Sequence, residues 1–220
     1  MLEVSELFYS LQGESSWSGL PCVFVRLSGC NLRCSYCDAR YTYEETGISR
    51  SIADIVADVA GYDFPLVDIT GGEPLLQPET NTLCSTLIAQ GFRVLLETNG
   101  SLPLEALPNE LRIITDIKCP GSLMGDSFHL PNLDVLSARK QHNGREDEIK
   151  FVLSSVDDYC WAREFIRRHR LQECAHLLLS TVANRFPPAE CAELMLGDHL
   201  PARLQLQLHT LLWPGLSRGK

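Results

Sequence analysis

The sequence predicts an α/β fold: an incomplete (β/α) barrel of about six or seven mostly parallel strands, formed by a single domain over residues 1–220. Three observations predict it. Short runs rich in Val, Ile and Leu recur from the first third of the chain to its end, as in strands covered on both faces. Helical patterns separate most of these runs, which implies right-handed crossovers and parallel pairing. Seven such runs fall short of the eight strands of a closed barrel.

In order, the strands are expected at 23–27, 66–70, 93–97, 113–117, 149–153, 176–181 and 204–208. Ser51, with an acid three residues on at Asp54, caps a helix running to about residue 60. Pro78 starts a helix that Gly91 stops, and a further helical pattern covers 132–139. Ser155 caps a helix to His169, and Pro188 starts one that Gly197 ends. In such barrels the chemistry lies at the C-terminal ends of the strands. Three polar clusters fall there, at 28–37, 70–74 and 97–100.

Composition narrows the function classes. The chain has 220 residues, 45% of them hydrophobic, enough for a sizeable core. Its formal net charge of -9 argues against nucleic acid as the main partner. No stretch approaches the roughly 18 consecutive apolar residues that span a bilayer, so no membrane association is expected. The start, MLEVSELFYSLQGES, lacks a basic segment followed by an apolar one, which points to the cytoplasm. Of nine cysteines, six stand singly (Cys22, Cys84, Cys119, Cys160, Cys174 and Cys191) and read as small buried hydrophobes.

The other three crowd into eight residues of GCNLRCSYCD, as Cys30, Cys34 and Cys37. Structural zinc takes four ligands, usually as two pairs, and a ferredoxin-type cluster takes four thiolates. A redox dithiol needs two. Three thiolates on a cubane leave one iron without a protein ligand. A molecule bearing an amine and a carboxylate, such as the methionine end of S-adenosylmethionine, can chelate that iron. An electron from the cluster then enters the sulfonium, and homolysis yields a 5′-deoxyadenosyl radical that abstracts hydrogen. The cofactors supply this chemistry, while the protein supplies geometry and excludes water.

Other polar residues sit at strand ends. In DITGGEPLL, Gly71 and Gly72 let the backbone approach a ligand closely. Glu97 to Gly100 reads as a tight turn or a ligand contact. Asp116, Lys118, Ser180 and Asn184 end later strands. Arg26 is the one charge in CVFVRLSG, paired with a structural acid or forked onto a substrate carboxylate.

The triad, with aromatic Tyr36 just before its last cysteine, resembles the radical S-adenosylmethionine superfamily motif. That resemblance implies a [4Fe–4S] cluster on Cys30, Cys34 and Cys37, with S-adenosylmethionine as cofactor. It places Tyr36 near the adenine and gives the methionine amino group to Gly72 and Glu73. Asp38, Asn99, Asp116, Lys118 and Ser180 complete the implied cofactor contacts.

Six segments together resemble one family more narrowly, the 7-carboxy-7-deazaguanine synthases: SLQGES, FVRLSGC, the CD after the triad, ITGGEP, ETNG and QLHTLLW. The resemblance implies conversion of 6-carboxy-5,6,7,8-tetrahydropterin to 7-carboxy-7-deazaguanine, on the route to queuosine and other deazapurines. Hydrogen abstraction, ring contraction and loss of ammonia achieve it. S-adenosylmethionine is regenerated, magnesium assists, a low-potential donor such as flavodoxin or ferredoxin supplies the electron, and the enzyme is a homodimer. Leu11, Gln12, Gly13 and Glu14 would hold the pterin edge and Arg26 its carboxylate. Thr70 and His209 would line the pocket, and Lys220 would fold back over it.

Two residues depart from the family. The family's Thr or Ser after CD is placed to bind magnesium, and here that position is Ala39. Either magnesium is held by substrate and water with another group such as Thr42, or the metal requirement is relaxed. Ser15 stands where the family has Gly. The competing readings are an activase that installs a glycyl radical on a partner protein, and a non-catalytic Fe–S or zinc-binding module.

Overall fold

The computed structural model describes residues 1–143, 147–216 and 218–219; at 142 and 143 it describes only the helical backbone. The strands are β1 (Leu2–Leu11), β2 (Pro21–Leu27), β3 (Ile48–Arg50), β4 (Leu66–Gly71), β5 (Arg93–Thr98), β6 (Arg112–Asp116), β7 (Glu148–Leu153), β8 (His176–Thr181) and β9 (Arg203–Gln205). The helices are α1 (Tyr41–Glu44), α2 (Ile52–Gly61), α3 (Thr80–Ala89), α4 (Asn132–Asn143), α5 (Val156–His169), α6 (Pro188–Gly197) and α7 (Leu208–Leu212). All nine strands form one sheet in the order β3-β1-β2-β4-β5-β6-β7-β8-β9.

The seven strands from β2 through β4–β9 are parallel, as the alternation of apolar runs and helices required. The two strands that the sequence reading omitted, β1 and β3, pair antiparallel at one edge. β1 carries polar residues on alternate positions, so it is not a continuous apolar run. β3 is three residues long and exposes Ile48, too little pattern to read.

Side chains alternate between the two faces of each strand. On the outer face, Val23, Val25, Val67, Ile69, Leu96, Ile113, Phe151 and Leu179 are buried in the main core. The helices supply its other half: Ile55 and Val59 from α2, Leu83 and Leu87 from α3, Tyr159 and Ile166 from α5, and Cys191 and Met195 from α6. Ser51 caps α2 and Ser155 caps α5, each hydroxyl accepting from the third residue on. Five of the six single cysteines are buried, the sixth, Cys160, packs against this core, and all nine are free thiols.

The inner face changes character along the strands. Near their N-terminal ends it holds a small apolar cluster of Cys22, Phe24, Leu66, Leu95 and Ile114. One or two residues further along come Arg26, Thr70, Glu97, Asp116 and Lys150, brought side by side by the parallel register. The loop from Gln12 to Leu20 fills the interior from one side. Trp17 packs on the apolar cluster, and Ser16 bonds the buried Glu148 carboxylate through both its N–H and its hydroxyl. Ser15 is fully buried and its hydroxyl accepts from Trp17 N at 3.0 Å, so this departure closes a turn.

The expected last strand, 204–208, is cut short. After Gln205 the chain leaves the sheet, Gln207 turns to Glu14, and Leu208 N bonds Gly13 O at 3.2 Å before α7 begins. Leu and Gln go on alternating through this exit, from Leu204 to Leu208, so periodicity alone could not mark it.

Candidate active site

At the C-terminal ends of the strands lies a cavity of about 840 Å³. One end is the cysteine loop. Cys30, Cys34 and Cys37 are each half-buried and all line the cavity. The loop is held from several sides: Gly29 N bonds Thr42 O at 2.7 Å, Glu73 N bonds Gly29 O at 2.8 Å, and Ser35 N bonds Ser122 O at 2.9 Å. Burial pushes the Cys34 and Cys37 thiols up. Lys118 opposes this and the mutual proximity of the three sulfurs adds to it.

Gly71 and Gly72 explain the close seating of this loop. A Cβ on Gly72 would lie 2.2 Å from Gly29 O and 2.7 Å from Cys30 Cβ. Gly71 has φ +152°, and a Cβ there would lie 2.2 Å from Leu27 O. Among the described residues no fourth cysteine lines the cavity. Three convergent, partly accessible thiols facing open space fit a cluster with three protein ligands and one open iron.

The other end is a charged wall centred on Lys150. Its Nζ donates to Glu14 Oε2 at 2.9 Å and lies 3.9 Å from Glu97 and 4.0 Å from Asp116. Burial alone would raise the Glu14 carboxyl, but Lys150 and His209 beside it draw it down to about 2. Lys118 donates to Asp116 at 2.7 Å. Burial by itself would lower the Lys118 ammonium, yet Asp116 and the Cys34 sulfur hold it above its ordinary value. Arg26 lies between the two ends, its Nε donating to Glu6 Oε1 at 2.7 Å. Arg26 thus pairs with an acid and also lines the cavity.

Most of the residues expected in the site converge on this cavity: Leu11, Gln12, Gly13, Glu14, Arg26, Tyr36, Asp38, Thr70, Gly72, Asn99, Asp116, Lys118 and His209. Five expectations need correction. Glu73 is fully buried and does not line the cavity; its carboxylate accepts from Leu75 N, Thr98 Oγ1 and Asn99 N, so only its backbone could face a ligand. Ser180 is likewise fully buried beneath the floor. The Gln12 amide is spent inside the protein, donating to Asp68 and Glu97 and accepting from Glu14 N and Ser15 N. Asn99 turns its amide to Asn31 and Ser101. Lys220 lies outside the described residues.

The fifth correction concerns magnesium. Ala39 offers no side-chain oxygen, and the Thr42 hydroxyl, almost wholly buried, donates to Ala39 O at 2.8 Å. Thr42 is thus a helix-entry bond, and neither residue fits a magnesium ligand. Glu14, Asp38 and His209 do place one ligand atom each within 4.8 Å of one another. Glu14 is already neutralised by Lys150, so this trio is better suited to an organic ligand with its own donors.

Sequence reading missed Lys150, Glu6 and Asp68 as functional candidates, and left Glu97 open between a turn and a ligand contact. The signal for Lys150 was present: it is a charge inside the apolar strand EIKFVL, as Arg26 is inside PCVFVRL. Glu6 carried none, since an acid on a half-exposed edge strand is ordinary.

Known proteins resemble this chain over its whole length. The model for the radical SAM superfamily matches residues 24–120. The 7-carboxy-7-deazaguanine synthase of Koribacter versatilis is 41% identical over 233 residues, covering 99% of this chain and 100% of that one. That of Chlorobaculum tepidum is 41% identical over 218 residues, covering 99% and 97%. Among solved structures, QueE from Escherichia coli superposes with a TM-score of 0.73 at 23% identity, over 94% of this chain and 93% of that one. At that identity the likeness concerns the fold.

Proposed function

Because the chain belongs to the 7-carboxy-7-deazaguanine synthase family of the radical S-adenosylmethionine superfamily, we infer that it converts 6-carboxy-5,6,7,8-tetrahydropterin to 7-carboxy-7-deazaguanine. It uses a [4Fe–4S] cluster and S-adenosylmethionine. When bound, these supply the one-electron chemistry that produces a hydrogen-abstracting radical. The observation that carries the reading is the polarity of the cavity: three thiols at one end and an arginine with a lysine–carboxylate wall at the other.

The protein's own residues account for the remaining tasks. Cys30, Cys34 and Cys37 hold the cluster. Gly71 and Gly72 bring the β4 backbone against the cluster loop, where a chelated amino acid would sit. Tyr36, fixed by its O–H to Val152 O at 2.9 Å, offers a ring face for the adenine. Arg26 takes the substrate carboxylate through the part of its guanidinium not used on Glu6. Glu14, held ionised by Lys150, and Glu97 offer acceptors to the donor edge of the pterin, and Thr70 and His209 close the sides. Magnesium has no side-chain ligand at Ala39, so no step is assigned to it.

A small-molecule substrate and a one-electron donor are the partners this chemistry requires. A flavodoxin or ferredoxin as donor, a homodimer, a cytoplasmic setting and action as one domain complete the proposal. No described helix is long and apolar enough to cross a membrane.

The test is anaerobic reconstitution with iron and sulfide, followed by reduction with S-adenosylmethionine and the carboxylated pterin. The deazapurine is expected by mass, and Cys30→Ala, Cys34→Ala and Cys37→Ala should each lose iron and activity, while Cys84→Ala keeps both. Formation of 5′-deoxyadenosine only in the presence of a second protein would point instead to an activase. Zinc without iron, and no cleavage of S-adenosylmethionine, would mark a non-catalytic module.

A further inference from the structure

Asp68 lies one layer beneath the cavity floor, and the reading above gives it no task. Its side chain is fully buried. Phe24 and Leu95 flank it across the sheet, and Leu66 precedes it on the same face. Asp68 Oδ2 accepts from Gln12 Nε2 at 2.7 Å, and the same nitrogen donates to Glu97 Oε1 at 3.0 Å. Asp68 Oδ1 has no protein donor, and the bridging Gln12 nitrogen sets the Glu97 carboxyl beside that of Asp68.

Two facts need one explanation. A buried ionised carboxylate with an unmade bond is costly, and two adjoining carboxylates resist ionising together. A single proton on Asp68 Oδ1, shared toward Glu97, supplies the missing bond and removes the repulsion. Lys150, 3.9 Å from Glu97 Oε2, decides which partner keeps the charge. Cys22 from β2 and Glu148 from β7 also face the pair, and Arg112, in the same register row on β6, sets its positive charge beside Glu148.

We propose that Asp68 is a positioning residue: a neutral acid that donates to Glu97 and, with Gln12, holds that carboxylate as a fixed acceptor for the pterin's donor edge. Burial first, and then the Glu97 charge, hold the Asp68 carboxyl well above the usual carboxylate range, with Gln12 and Lys150 opposing. Gln12 and Asp68 thus act through Glu97 and do not touch substrate. The proposal rests on the pterin reading of the cavity for its purpose, but not for its proton.

The experiment therefore has two arms. Infrared spectra of protein labelled with ¹³C-aspartate should show, at neutral pH, one protonated carboxyl band that Asp68→Asn removes; absence of that band overturns the proposal. In the kinetic arm, Asp68→Asn keeps a donor toward Glu97 and should leave the pterin KM within about threefold of wild type, whereas Asp68→Val, which has no donor, should raise it about 10–100-fold with a smaller change in kcat. Equal KM values for wild type, Asn and Val forms would overturn it as well. If Asp68→Val fails to fold, the infrared band and the Asn form still decide. If wild type itself does not turn over the pterin, the functional reading fails while the infrared band still reports on Asp68.

Discussion

Lys150 Nζ and Glu14 Oε2 lie 2.9 Å apart, although 136 residues separate them in the chain. The bond joins the interior loop that follows β1 to the middle of β7. It also places one buried cation among Glu14, Glu97 and Asp116. Glu14 and Glu97 therefore share one lysine, while Asp116 also has Lys118.

Lys150→Met should be among the most damaging single changes. It leaves Glu14 and Glu97 without their cation, while Asp116 keeps Lys118, and breaking a buried pair costs about 3–5 kcal/mol. A fall in thermal midpoint is expected, partly recovered when Glu14→Gln is added. A double-mutant cycle on unfolding free energy measures the coupling; strict additivity would show that the pair is not coupled.

The same pair sets an acid-side pH dependence. Glu14 titrates at about 2 in the folded protein, against an ordinary value of 4.5. A lowered folded value means the unfolded chain takes up the proton first as pH falls. The Glu14 contribution is thus complete above about 4.5 and is lost progressively down to about 2. Glu14→Gln should flatten the stability profile in that window and leave its slope near neutral pH unchanged, as chemical denaturation at a series of pH values will show.

Gly72→Ala tests the contact between β4 and the cluster loop. The new methyl group would meet Gly29 O at 2.2 Å, so the loop must move. The expected result is a folded protein by circular dichroism that binds iron poorly after reconstitution. Gly61→Ala is the control, because nothing lies within 4 Å of its Cβ position. At this helix end it should be neutral or stabilise by about 0.5–1 kcal/mol.

Glu6 ties the chain end to the substrate side. Its carboxylate accepts from Arg26 Nε and Tyr41 O–H, both at 2.7 Å, and from Gly219 N at 3.0 Å. Arg218 adds an ion pair to Glu45 and lies over the Tyr41 ring at 4.3 Å. Glu6→Ala should expose the C-terminal segment to proteolysis and raise the pterin KM about 10-fold or more, a loss on the scale of one charge-assisted hydrogen bond. Limited proteolysis with mass spectrometry reads the first effect and steady-state kinetics the second. An unchanged cleavage pattern would show that Glu6 does not anchor the tail.

Much of the fold was legible because burial on both faces leaves apolar runs, and most parallel strands of the array carry one, the short β9 excepted. β1 was not legible, since its polar alternate positions resemble a surface segment until β2 is known to lie beside it. In the site, the cysteines and the Gly71–Gly72 turn were legible from local spacing. Arg26 was legible from its isolation in an apolar strand, and Lys150 had the same signature. The hydrogen bonds that occupy the Gln12 and Glu73 side chains were not legible, because which partners consume a side chain depends on neighbours distant in sequence, Asp68 and Glu97 for one and Thr98 and Asn99 for the other.

By itself, then, the sequence determined which atoms could hold the cluster and where the strands would carry polar ends, because thiolate spacing and apolar periodicity are local properties of the chain. Only the tertiary structure decided which polar groups remain free to meet a ligand. That depends on the sheet register and on the seating of the loop after β1, which set Lys150 against Glu14 and Asp116 and place Gln12 over Asp68.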